Sequence, residues 1–120
     1  MPQALTPKTL EDAQRLAERT IIIDGHIDVP YWVDSIFEED VAEETIGGDF
    51  DYPRAVRGGL DAAFMAIYVP ATFQTAGGAK RHADHLIDVV EGIIQRAPAK
   101  FAPAGSADEI RANHDAGLVS

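Results

Sequence analysis

The chain of 120 residues has the length of one ordinary domain and is too short for a complete (β/α)8 barrel, which needs about 250 residues. Its 20 acidic and 10 basic residues give a formal charge of -10, which argues against binding to nucleic acid or to an anionic membrane surface through clustered Lys and Arg. Because cysteine is absent, disulfides, thiolate zinc sites and cysteine nucleophiles are excluded, and any metal site must use His, Asp and Glu.

The first predicted element is a helix, and a buried strand follows it. Thr6 and Pro7 provide a cap and a proline for the first turn, and apolar residues then recur on one face. The run from Thr20 to Asp24 contains three consecutive isoleucines and is ended by Gly25. A run that is apolar on both faces is typical of a central parallel strand.

A long connection separates this strand from the next one. Residues 29–51 lack clear periodicity and carry five acidic residues between Glu38 and Glu44, with room for a short helix. Pro53 to Arg57 is predicted to form a short helix that ends at a glycine pair. Leu60 to Val69 is mostly apolar and is predicted as a second buried strand.

A long helix, a third strand and another helix complete the predicted elements. An apolar stripe at helical spacing runs from Ala79 to Ala97, and Phe101 with Ala102 indicates a short strand. The segment from Ser106 to Glu109 has the pattern of a capping box, and it opens a helix that Gly117 closes. The chain then enters another apolar run.

Strands that alternate with helices predict an α/β fold with right-handed βαβ units and a parallel sheet. Three strands and the start of a fourth do not close a barrel. We therefore interpret residues 1–120 as a single region that belongs to something longer. The alternative is a small three-layer domain that is complete in itself.

His26 and Asp28 are the candidate metal ligands. Side chains two apart in extended backbone project to the same side, and this pair follows a strand end, where α/β folds place their active sites. A neutral nitrogen and an anionic oxygen suit zinc or a similar divalent ion. On spacing alone, a strand-end histidine and a turn aspartate before Pro30 are the slightly favoured interpretation.

Two residues beside this pair are candidates for supporting roles. Asp24 has two interpretations: it orients His26, or, as the favoured one, it accepts backbone hydrogen bonds in a tight turn. Gly25 is expected to let the backbone bend close to the site.

The remaining histidines and the nearby aromatic residues have favoured structural interpretations. His82 and His85 have a spacing that can bind metal, but their charged neighbours favour a solvated helix face. His114 lies near a predicted helix end, where a cation meets the dipole favourably, and receives no catalytic role. Tyr31 and Trp32 either line a substrate pocket or, more commonly for aromatics after a strand, contribute to packing.

Two separated segments carry a family resemblance. IIIDGHIDVP, from Ile21 to Pro30, is similar to the opening DGHNDLP of the renal or membrane dipeptidases, which are zinc peptidases on an amidohydrolase-like barrel. The segment from Asp51 to Pro70 resembles the arginine-containing turn, double glycine, apolar strand and YVP ending of the same family. The resemblance spans nearly the whole chain. It departs at Ile27, where the family usually has asparagine, and at Val29, where it often has leucine.

The resemblance implies the amino-terminal part of a (β/α)8 TIM-type metallo-hydrolase barrel, comprising its first three to four β/α units. It also implies hydrolysis of dipeptides through a binuclear Zn2+ site in which His26 and Asp28 form the HxD pair. The family's bridging glutamate is expected shortly after Ser120 and its two further histidines much later. The 120 residues alone are therefore expected to be inactive.

Two other functions are kept as alternatives. One is another amidohydrolase-type metal hydrolase, a lactonase or an amidase, and the other is a non-catalytic fragment with a binding or assembly role. The expected partner is a dipeptide substrate, without nucleic acid and without a membrane segment, and a homodimer stays open. The charged start of the chain lacks the apolar core of a signal peptide, so the default expectation is a cytoplasmic location.

Overall fold

A computed structural model describes residues 6–120 as helices packed around a small parallel sheet, which makes the chain a member of the α/β class. In chain order the elements are α1 (Pro7–Glu18), β1 (Ile23–Ile27), α2 (Val29–Ser35), α3 (Tyr52–Gly58), β2 (Ala62–Met65), α4 (Phe73–Ala76), α5 (Ala79–Arg96) and α6 (Ala107–Asp115).

Helix α1 begins as its sequence predicts. The Thr6 hydroxyl accepts a hydrogen bond from the amide of Thr9 at 3.2 Å, which satisfies one of the free donors of the first turn. The end of α1 packs on the turn between α3 and β2. A Cβ at Gly59 would lie 2.9 Å from the Cβ of Ala17, and Gly59 has φ 79°, so both space and backbone conformation require glycine there.

The sheet contains β1 and β2 in parallel. β1 starts and ends three residues later than the predicted run from Thr20 to Asp24, so it includes His26. The prediction of a buried strand is wrong for β1, whose residues are exposed except for the partly buried Ile27. A strand is buried only when neighbours cover both its edges and both its faces, and within residues 6–120 β1 pairs with β2 alone.

The predicted third strand is reduced to one parallel bridge between Phe101 and Val119. The neighbour of β2 is instead the end of the chain. Ser120 donates its amide hydrogen to the carbonyl of Asp61 at 2.8 Å, and its own carbonyl accepts from the amide of Ala63 at 2.9 Å. The segment of Val119 and Ser120 therefore lies between β2 and Phe101. Sequential order along the chain is not the spatial order of these strands.

The apolar core lies on one side of the sheet, and the long helix α5 contributes side chains to it. The prediction of α5 is confirmed within one residue, and its stripe buries Leu86 and Ile93. Ile27 and Met65, which are partners in the sheet, pack against the core. The core cluster consists of Val29, Val41, Ala42, Ile93, Phe101 and Val119.

The predicted caps of α6 are largely confirmed. The Ser106 hydroxyl accepts from the amide of Glu109 at 3.2 Å. The Glu109 carboxylate accepts from the amide of Gly105 rather than from that of Ser106, one residue earlier than a capping box requires. Gly117 has φ 75°, the left-handed conformation expected after a helix.

A buried carboxylate organises the acidic loop between α2 and α3. The Asp51 side chain is fully buried and accepts hydrogen bonds from the amide of Thr45 at 3.0 Å, the amide of Arg54 at 2.8 Å and the Nε of Arg54 at 2.7 Å. The Thr45 hydroxyl donates to it as well, at 3.2 Å. Burial by itself raises the pKa of Asp51, but these hydrogen bonds outweigh it and hold the pKa well below its ordinary value of 3.8.

We expect the substitution Asp51→Asn to lower the free energy of unfolding by about 2 kcal/mol, because the neutral amide turns donors toward Arg54 and Thr45 and cannot accept all their hydrogen bonds. Asp49→Asn is the matched control, because Asp49 is exposed in the same loop, and it should change stability by less than about 0.5 kcal/mol. Urea denaturation followed by circular dichroism measures both variants. Equal effects of the two substitutions would contradict the role of Asp51.

The depressed pKa of Asp51 also predicts the sign of a pH effect. The contacts of the folded state favour the ionised form of Asp51 more than the unfolded state does. Their contribution to stability is therefore complete above pH 3.8, and it is lost progressively as the pH falls toward the lower pKa of Asp51 in the folded protein. Denaturation curves over a series of acidic pH values should show this loss. The curve of Asp51→Asn should be flatter over the same interval, and an identical slope in both proteins would refute the assignment.

Candidate metal centre

A β-bulge in β1 determines which way His26 points. Between the pairs Asp24–Ala63 and Ile27–Met65, β1 advances by one residue more than β2 does. The extra residue reverses the alternation of side chains, so Ile27 packs against the core while the His26 side chain, 70% exposed, points away from it.

His26 and Asp28 converge in the structure. The His26 Nε2 lies 3.2 Å from the Asp28 Oδ1, and the side chain of Asp28 is 40% exposed. Asp28 occupies the N-cap position of α2, yet its side chain makes no capping hydrogen bond. The carboxylate is thus available to a neighbouring group, and both donor atoms are accessible to a ligand from solvent.

The donor set fits zinc as two ligands of a larger site. Ligands about 2.0–2.1 Å from a tetrahedral zinc lie about 3.3 Å from each other, close to the separation of the His26 nitrogen and the Asp28 oxygen. Within residues 6–120, no group of three or more His, Cys, Asp or Glu side chains is arranged to hold a metal. A coordination sphere built on this pair would therefore need further ligands.

The two candidate supporting residues behave differently from each other. The Asp24 Oδ1 accepts the amide hydrogen of His26 at 2.9 Å, so Asp24 acts on the backbone, as the favoured interpretation expected. The expected close approach at Gly25 is not found, because its φ is not positive and a Cβ there would meet no atom within 4 Å.

The two histidines of α5 do not converge on a common point. His85 is exposed and pairs with Asp34 of α2, with 2.6 Å between Nε2 and Oδ1, so it ties two helices together. The solvated-face interpretation is wrong for His82, whose ring stacks on Phe73 at a centroid distance of 4.6 Å. Its Nε2 is buried and has no hydrogen-bond partner within the described residues.

His114 has a structural contact. It lies in the last turn of α6, as predicted, and its Nδ1 is 2.8 Å from the Asp61 Oδ1. The other carboxylate oxygen of Asp61 accepts the amide hydrogen of Ile22 at 2.8 Å. This contact fastens α6 to the beginning of β1 and β2, far along the strands from His26.

Aromatic residues follow the carboxyl ends of both strands. Tyr31 packs edge to face on Tyr68, with 5.0 Å between ring centroids, and on Trp32, with 5.8 Å. Trp32 also stacks on Phe37 and lines a largely apolar cavity of about 770 Å³ beside β1, so packing and lining are combined in this residue. Tyr68 is absent from the candidate residues of the sequence, because the predicted second strand runs to Val69 and includes it. The observed β2 ends at Met65, so Tyr68 follows the strand end. Its place in the YVP segment of the family resemblance is the signal that could have found it.

No helix within residues 6–120 combines the length and the apolar character that crossing a bilayer requires.

The chain matches a known protein family. The family model of the membrane dipeptidases, peptidase family M19, matches residues 10–120. This range includes the pair of His26 and Asp28 and both strands, and it confirms the family resemblance of the sequence. No curated protein matches the chain.

We expect zinc added to the protein to shift the NMR signals of the His26 ring, and we expect His26→Ala or Asp28→Asn to weaken this binding more than about tenfold, because each removes one of two convergent donors. Asp34→Asn is the matched control, since Asp34 pairs with His85 on neighbouring helices. Zinc shifts that are equal in Asp28→Asn and in the unchanged protein would contradict the ligand assignment.

Proposed function

The chain belongs to the membrane dipeptidase family, peptidase family M19, and from this we propose that it supplies the first two metal ligands of a zinc-dependent dipeptidase. Family membership makes the protein a dipeptidase-type hydrolase that acts on peptides. The observation that carries the finer proposal is the convergence of the His26 Nε2 and the Asp28 Oδ1 at the carboxyl end of β1.

We propose that β1, β2 and the segment that begins at Val119 belong to the parallel sheet of a TIM-type barrel. Two features support this. The pairing of β1 with β2 and of β2 with Ser120 is parallel, and the candidate site follows the carboxyl end of β1, the end at which such barrels carry their active sites.

In the proposed site His26 is neutral and presents the lone pair of Nε2, while Asp28 contributes a negative charge. When bound, zinc supplies Lewis acidity, which activates water and polarises the carbonyl of the scissile bond. Catalytic zinc sites use three or more protein ligands. We therefore propose that the other ligands, including those of a second ion, come from outside residues 6–120.

We propose that the dipeptide lies against the pair formed by Tyr31 and Tyr68. Both tyrosines follow strand ends on the edge of the sheet that also carries His26. An aromatic edge-to-face pair offers an apolar wall with hydroxyl groups at its border, which suits a small peptide with one apolar side chain.

The proposed activity is tested with the longest chain that the reading frame encodes, by measuring dipeptide hydrolysis before chelation, after chelation and after zinc is returned. Activity should be lost and then restored. Asp28→Asn should lower kcat/KM by more than about 100-fold, because removing a ligand costs more than the upper range for removing the neighbour of a ligand. Asp34→Asn serves as the control and should leave kcat/KM nearly unchanged.

The outcomes separate the proposal from its alternatives. Hydrolysis of a lactone or a simple amide in place of dipeptides would favour another amidohydrolase-type enzyme. Zinc binding without hydrolysis would favour a binding or assembly role. Because the proposed pair supplies only two of the ligands that a catalytic zinc site needs, the purified 120 residues alone should hydrolyse no dipeptide, and detectable activity of that chain would refute the proposed division of the site.

A further inference from the structure

We propose that Asp24 is a positioning residue, whose carboxylate holds the β-bulge that aims His26 toward Asp28. The expected effect on zinc binding rests on the proposed metal-binding function, whereas the effect of Asp24 on the backbone of His26 does not. The Asp24 Oδ1 accepts the amide hydrogen of His26 at 2.9 Å.

The bulge leaves room for this hydrogen bond. A bulge leaves one residue of the strand unpaired in the ladder, and a nearby side-chain oxygen that accepts its amide hydrogen favours the bulged backbone over a regular strand. In β1 the irregularity falls between Asp24 and Ile27, and His26 lies inside it. At this point of the strand the Asp24 carboxylate is the acceptor for the amide hydrogen of His26.

The cavity beside β1 gives independent evidence for the reversal of the side chains. Ile22, Asp24 and Ile27 line it, whereas Ile23 and His26 do not. In a regular strand Asp24 and His26 would share a face, because side chains alternate with a period of two. The bulge moves Ile27 to the face of Asp24, so that the core accepts Ile27 while His26 faces the opposite way.

A direct ligand role for Asp24 is less consistent with the structure. One carboxylate oxygen is engaged with the backbone of His26. Within residues 6–120, Asp24 does not join His26 and Asp28 in a group of three side chains able to hold a metal. Asp24 would therefore affect metal binding indirectly, by orienting His26.

The test compares Asp24→Asn, which keeps a carbonyl acceptor in the same position, with Asp24→Ala, which removes it. Asp88→Ala, an exposed residue of α5, is the control for the loss of one negative charge. Two readouts are made on each protein: hydrogen exchange of the His26 amide, and the zinc-induced shift of the His26 ring signals. Asp24→Ala should speed the exchange about tenfold and weaken zinc binding by about tenfold or more, while Asp24→Asn and Asp88→Ala stay near the unchanged protein.

Two outcomes would overturn the inference. If Asp24→Asn is impaired as much as Asp24→Ala, the charge of Asp24 matters and not its hydrogen bond. If Asp24→Ala leaves the exchange of the His26 amide unchanged, the carboxylate does not hold the bulge. A failure of the proposed function would look different. The exchange rates of the His26 amide would follow the expected pattern, but the His26 ring signals would not respond to zinc in any of the proteins. That result would still support the structural role of Asp24.

Discussion

The parallel pairing of β1 with β2 places both the apolar core and the candidate metal site. A parallel pair needs a crossover connection, and here α2, the acidic loop and α3 form it. The pairing brings the residues that follow β1 and those that follow β2 to the same edge. The segment of Val119 and Ser120 adds to β2 on its other side, so the sheet is extended from β2 and not from the predicted strand at Phe101.

The β-bulge in this pairing determines which side chain of β1 packs in the core and which one faces the candidate metal site. The bulge in β1 turns Ile27 to the face of Asp24 and into contact with the core, and His26, as its neighbour in the strand, takes the opposite, open face. Strand irregularities near functional residues commonly re-aim a side chain in this way. The exposure of His26 and the partial burial of Ile27 are therefore two results of the same backbone feature.

The connection between β1 and β2 is long and acidic, and polar contacts hold it in place. Asp51 joins Thr45 to the start of α3 through buried hydrogen bonds. The Lys100 ammonium donates to the carbonyl of Ala42 at 2.7 Å and to the carboxylate of Glu43 at 2.6 Å, which ties the loop to the region after α5. The loop, held in its middle by Lys100 and at its end by Asp51, lines one side of the cavity beside the site.

Features that depend on neighbours along the chain could be predicted from the amino-acid sequence. The cap at Thr6, the stripe of α5 and the left-handed glycine at Gly117 are local signals, and each is found where it was predicted. The spacing of His26 and Asp28, together with the motifs around it, was enough to indicate the family. Four features could be seen only in the folded chain: the exposure of β1, its bulge, the position of Ser120 beside β2 and the burial of Asp51. These depend on which distant segment supplies a hydrogen-bond partner or a covering side chain, and a pattern of period two or 3.6 in one segment carries no record of that partner.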